Sequence, residues 1–134
     1  MTGEASRGVV DTSVFIAQES RGLDESLLPL EVGVSVVTYA ELSAGVLAAT
    51  DLRARSRRLA TLSAVAAMTH LPIDLGVAHA WARVRVQVAQ AGRRANVNDM
   101  WIAATALSLD LPVWTQDRDF DVIADLSGLQ VVRM

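Results

Sequence analysis

Five acids fall at positions where an α/β chain delivers its chemistry. Asp11 ends the apolar run GVVD, Glu41 lies in TYAELSAG, Asp99 heads NDMWIAATAL, and Asp117 and Asp119 follow Trp114-Thr115 in WTQDRDF. Two unit charges about 4 Å apart repel by about 4 kcal/mol at an effective dielectric near 20. A domain stable by about 5–15 kcal/mol cannot hold several such contacts uncompensated. If these carboxylates converge, either some are protonated or a divalent cation holds them. An all-oxygen set, with no Cys in the chain and no His close by in sequence, suits Mg²⁺ or Mn²⁺. Mg²⁺ held by carboxylates keeps waters, and one of them can attack a phosphodiester while the metal neutralises the phosphate.

Each acid alone has an ordinary explanation. Asp99 suits the first turn of a helix, where the dipole favours a negative charge. Glu41, three residues after Thr38, has the spacing of a capping box. Asp11 can serve a turn, and Asp117 and Asp119 a polar loop. Their joint placement at one sheet edge is what calls for a common cause.

The elements that position them are read from periodicity. Residues Met1–Arg7 are small and polar, a loose lead-in to a buried strand at Gly8–Asp11. A helix follows over TSVFIAQES, capped by Thr12 or Ser13. LDESLLPL reads as a short helix closed by Pro29, and Val32–Val37 as a β-branched interior strand. Next come a helix capped by Thr38, a longer one from Asp51 to Met68 with Leu52, Leu59, Leu62, Val65 and Ala66 on one face, and a short strand at LPID. Leu75–Ala91 carries Val77, Trp81, Val84 and Val88 at helical spacing, and Gly92 ends it. Asp99–Leu109 is apolar nearly all round, the mark of a buried helix. Leu111–Thr115 and LQVVRM read as the last strands, joined by a loop with a short helix. Strands alternating with helices predict a mostly parallel sheet with ligands outside the carboxyl ends of its strands. Asp11, Asp117 and Asp119 fall at such ends.

The bulk numbers fit one domain over residues 1–134. A hydrophobic fraction of 51% supports a packed core, and no apolar run reaches the roughly 18 residues that span a bilayer. A cytoplasmic protein is the expectation. All 12 basic residues are Arg. Setting the five acids aside moves the net charge from −3 to +2, so a mildly acidic total does not exclude RNA. Arg93 and Arg94, shortly before Asp99, are candidates for RNA contact; Arg53–Arg58 read first as a solvated helix face. His70 and His79 read as surface or packing residues. Trp81, Trp101 and Trp114 read as core, as do Phe15 and Tyr39.

In order and spacing, VVDTS, TYAELSAG, NDMWIAATAL and WTQDRDF resemble the PIN-domain family, and more narrowly the VapC-type ribonuclease toxins of toxin–antitoxin pairs. The likeness runs from about Val9 to Val132. It implies a three-layer α/β/α domain and a Mg²⁺- or Mn²⁺-dependent endoribonuclease. On this chain it makes Asp11, Glu41, Asp99 and Asp117 the metal-binding quartet, with Asp119 as an additional acid before Phe120. Thr12, Ser13, Asn98 and Thr115 would be hydrogen-bonding supports. It also implies a homodimer restrained by a cognate antitoxin, with no membrane. The segments Leu23–Leu30 and Tyr39–Ala66 are where an antitoxin is expected to dock.

Other chemistries fit less well. Phosphatases and phospho-accepting receiver domains also place Asp after the first strand, but rely on a Lys that this chain lacks. No Ser lies in a G-x-S-x-G turn, which disfavours a serine hydrolase. A two-carboxylate glycosidase would need a larger, more aromatic cleft. The alternative from a different class is a PIN-like module that grips RNA or a partner without cutting; against it stands the complete acidic set.

Overall fold

The computed structural model describes residues 7–134. Along the chain run β1 (Arg7–Val10), α1 (Thr12–Arg21), β2 (Glu31–Ser35), α2 (Val36–Ala48), α3 (Leu52–Ala66), β3 (Thr69–Leu71), α4 (Leu75–Gln90), α5 (Val97–Ser108), β4 (Val113–Thr115), α6 (Asp121–Ser127) and β5 (Val131–Arg133). Single 3-10 turns occupy Glu25–Leu27 and Arg118–Phe120. The strands form one sheet in the order β3-β2-β1-β4-β5, parallel at every step.

β1 is central and fully apolar after Arg7, as a strand covered on both faces must be. Its successive residues serve opposite sides. Val9 and Val113 pack with Val84, Val88, Ile102 and Ile123, from α4, α5 and α6. Val10 and Trp114 pack with Val14, Leu42 and Val65, from α1, α2 and α3. The sheet is thus sandwiched between two helical layers, the three-layer arrangement expected.

Several local expectations are corrected. Val36 and Val37 open α2 instead of ending β2, because the Ser35 hydroxyl caps the helix by accepting from Val37 N at 3.1 Å. Thr38 is therefore inside the helix and fully buried, with no capping box. Asp11, and not Thr12 or Ser13, caps α1. The strand expected at LPID is Thr69–Leu71; Asp74 instead caps α4, accepting from Val77 N at 3.0 Å. The short helix in LDESLLPL shrinks to one 3-10 turn capped by Asp24. Leu52 and Leu59 on α3 are exposed, and so is Tyr39. The expected lead-in lies outside the described residues except for Arg7, which belongs to β1. Among the described residues, no helix is long and apolar enough to cross a membrane.

Candidate active site

The carboxyl end of β1 puts Asp11 at the middle of the sheet edge, with only 1% of its surface exposed. Its Oδ2 collects the protein's donors: Ser13 Oγ at 2.7 Å, Thr115 Oγ1 at 3.0 Å and, more weakly, Ser13 N at 3.4 Å. Among the described residues nothing donates to Oδ1, so one oxygen is fixed and the other is unclaimed. The parallel pairing of β1 with β4 brings Thr115 there, since Val9 pairs with Val113 and Val10 with Trp114. Thr115 Oγ1 in turn accepts from Asp117 N at 2.9 Å, and Ser13 Oγ accepts from Gln116 N at 3.0 Å. The start of α1 and the end of β4 are thereby tied together through two hydroxyls.

Glu41 comes from α2, one turn beyond buried Thr38. Its Oε1 accepts from the Thr12 hydroxyl at 2.7 Å and its Oε2 from Asn98 Nδ2 at 3.2 Å. Thr12 Oγ1 also lies 2.9 Å from Thr38 Oγ1. The single Thr12 hydroxyl proton thus has two acceptors in reach, Glu41 Oε1 at the shorter distance and Thr38 Oγ1. Glu41 is thus held from two helices, α1 and α5, which a capping role would not require.

Asp99 is the third residue of α5, a helix capped by Asn96, whose Oδ1 accepts from Asn98 N at 2.9 Å and Asp99 N at 3.2 Å. Behind it, Met100 and the run Ile102–Ala106 are buried and fix the helix in the molecule. Burial, followed by the charges of Asp11, Asp119, Glu41 and Asp117, pushes the Asp99 carboxyl up to about 7. The Asp11 carboxyl is also raised, chiefly by burial, against the lowering effect of its Ser13 and Thr115 hydrogen bonds. Thr12, Ser13, Glu41, Asp99 and Asp117 border an open cleft of about 370 Å³.

Asp117 and Asp119 are exposed, and only Asp117 lines this cleft. Asp119 lines a neighbouring depression of about 510 Å³ together with Arg93, Arg94, Asn96 and Arg118. Arg93 and Arg94 are therefore beside the acidic cleft and not in it; Arg93 pairs with Asp125 at 3.2 Å. Among the described residues Arg21 is the one cation lining the acidic cleft, hydrogen-bonded to Gln116 Oε1. The sequence reading passes over Arg21 and Gln116 and gives Thr38 only a capping role. Only the adjacency of Gln116 to Thr115 could have signalled one of them.

Glu41, Asp99 and Asp117 line the cleft with Asp11 close by, and among the described residues no three His, Cys, Asp or Glu side chains close up to metal-binding spacing. Mg²⁺ asks for less, since it binds through one or two carboxylates and keeps several waters. The donor chemistry fits such an ion: every candidate ligand is oxygen, and Asp11 presents one oxygen that none of the described residues claims.

Elsewhere, Arg55 and Arg58 donate to the carbonyls of Ala49 and Gly45 and fasten α3 to α2, while Arg53 and Arg57 are exposed. His70 lies 3.1 Å from two carbonyls at the end of α3, a packing role, and His79 is exposed. Trp114 is buried, and Trp81 stacks on Trp101 at 4.7 Å.

The PIN domain family matches residues 8–126. Ribonuclease VapC5 of Mycobacterium tuberculosis is 50% identical over the whole of both chains, and Ribonuclease VapC4 of the same organism is 39% identical over 93% of this chain and 97% of its own. The crystal structure of VapBC-5, a member of the VapBC toxin–antitoxin family from M. tuberculosis, superposes with a TM-score of 0.88, covering 96% of this chain and 99% of that one. With its fold, its motifs and the full length of its relatives in agreement, the chain belongs to the PIN-domain family, in the branch of the VapC ribonucleases.

Proposed function

We propose that this ribonuclease toxin uses Asp11, Glu41, Asp99 and Asp117 to hold a divalent cation, Mg²⁺ or Mn²⁺, at the carboxyl edge of its sheet. The observation that carries the reading is the support given to the acids: hydroxyl and amide donors from α1, α5 and β4 fix Asp11 and Glu41 at the border of the cleft. A bound divalent cation supplies phosphate neutralisation and an acidified water. The chain's own residues do the rest. Ser13 and Thr115 orient Asp11; Thr12 and Asn98 orient Glu41. Asp117, exposed at the cleft, takes up a proton from the attacking water, and Asp119 is the alternative base. Arg21, at the lip beside Gln116, attracts the RNA backbone.

The reaction is endonucleolytic hydrolysis of an RNA phosphodiester, in the cytoplasm, by a homodimer restrained by a cognate antitoxin. Exposed Leu27, Leu30, Leu47 and Leu52 lie within or beside the segments expected to meet that partner. Purified protein should cut single-stranded RNA with Mg²⁺ or Mn²⁺ and lose all cleavage in EDTA. Asp99→Asn should lower the cleavage rate at least about 100-fold, with an unchanged circular dichroism spectrum. Cleavage in EDTA, or by Asp99→Asn at the parent rate, would overturn the ligand assignment. A non-cutting module would bind RNA and leave it whole under every condition.

A further inference from the structure

Beside the acidic cleft lies the depression bordered by Arg93, Arg94, Asn96, Arg118, Asp119 and Asp121. Its charges are not all spent within the protein. Arg93 is paired with Asp125 and Asp121 with Arg133, whereas Arg94 and Arg118 make no ion pair among the described residues. The two cavities are lined by consecutive residues, Gln116 and Asp117 in the cleft and Arg118 and Asp119 in the depression. Asp119 lines the depression, yet its charge is felt at Asp99. Asn96 lines it too, and caps the helix that carries Asp99.

We propose that this depression is a subsite for an RNA phosphate one or two nucleotides from the bond that is cut, held by Arg94 and Arg118. The inference rests on the nuclease reading above. A guanidinium presents a rigid fork of N–H donors that matches phosphate oxygens, and it stays charged at any working pH. A strand whose scissile phosphate lies over the acids must carry its next phosphates outward along the same edge. Two unspent guanidiniums stand at that place. Both are anchored: Arg118 opens the 3-10 turn that ends in fully buried Phe120, and Arg94 follows a residue whose backbone N–H donates to Val88 O at 3.1 Å. Arg21 borders the acidic cleft itself, so cations mark both cavities of the edge.

The test separates the subsite from the cutting centre. Binding is measured by fluorescence anisotropy in the inactive Asp99→Asn background, with a fluorescein-labelled single-stranded RNA of about 20 nucleotides. Adding Arg94→Ala and Arg118→Ala together should weaken binding about tenfold, whatever the RNA sequence, and lower the salt slope of log K by about 1. Removing exposed Arg53 and Arg57 instead should do much less. In the active background, the Arg94→Ala/Arg118→Ala protein should show a raised KM on the long RNA with kcat nearly kept. A dinucleoside monophosphate carries only the scissile phosphate, so both proteins should cut it alike. Unchanged RNA binding, an equal loss from the Arg53/Arg57 pair, or an equal defect on the dinucleoside would each overturn the subsite. So would a poly-glutamate peptide that binds the parent and not the double variant while RNA binding stays the same, since the depression would then serve an acidic protein partner. Failure of the parent protein to cut any RNA with metal would instead bring down the nuclease reading.

Discussion

Asp99 shows in one side chain the tension that the site is built on. Its carboxyl is held near 7 in the folded protein, against an unfolded value close to 3.8. The folded state therefore binds a proton more tightly than the unfolded chain, and stability falls as pH rises from about 4 to about 7. Asp11 is shifted in the same direction and adds to the trend. In EDTA, the urea midpoint should be higher at pH 5 than at pH 8. Asp99→Asn should flatten that difference and raise the midpoint at pH 8, the more stable protein being the inactive one. A midpoint that climbs between pH 5 and pH 8 in EDTA would contradict the shift.

At the scale of elements, the acids depend on how β1 lies against β4. Gly8 permits that contact: a Cβ at this position would lie 2.1 Å from Trp114 Cζ3. Trp114 Nε1 reaches across to donate to Leu27 O at 2.9 Å, and the next residue, Thr115, holds Asp11. Gly8→Ala should therefore cost about 1–3 kcal/mol in urea unfolding, by overpacking. It should also lower cleavage by displacing Thr115 from Asp11. Much of this was legible in the sequence. Asp11 at the end of an apolar run, and Asp99 heading a helix apolar nearly all round, announced a charge held by a buried scaffold. What escaped had physical causes. Val36 and Val37 favour strands, but Ser35 supplies the cap that lets a helix start beneath them. Glu41 had capping-box spacing, and only the tertiary approach of Thr12 and Asn98 reveals its other role. The parting of Asp117 from Asp119 into adjoining cavities is set by the turn around buried Phe120, which no local periodicity encodes. Arg55 and Arg58 read as solvated because their carbonyl partners lie on another helix.

For the whole molecule, a cation held by acids from α2, α5 and the ends of β1 and β4 would link metal binding to folding. A ligand that binds only the folded state, present at 100 times its dissociation constant, stabilises by about 2.7 kcal/mol. For a chain of this size that corresponds to a rise in Tm of roughly 10 °C. EDTA-treated protein should show such a rise with Mg²⁺ or Mn²⁺, and Asp11→Asn should remove most of it; equal rises in the two proteins would point to a cation bound elsewhere. The two separately packed faces of the sheet give that linkage a direction. Glu41 rides on α2 and Asp99 on α5, helices that pack mainly on opposite sides of β1. An ion seated among the carboxylates would rivet one layer to the other at the rim of the sheet. Deuterium uptake would register this as a joint event: amides around Glu41 in α2 and in the opening turn of α5 slowing by a similar factor on loading, although the two helices serve mainly different halves of the interior.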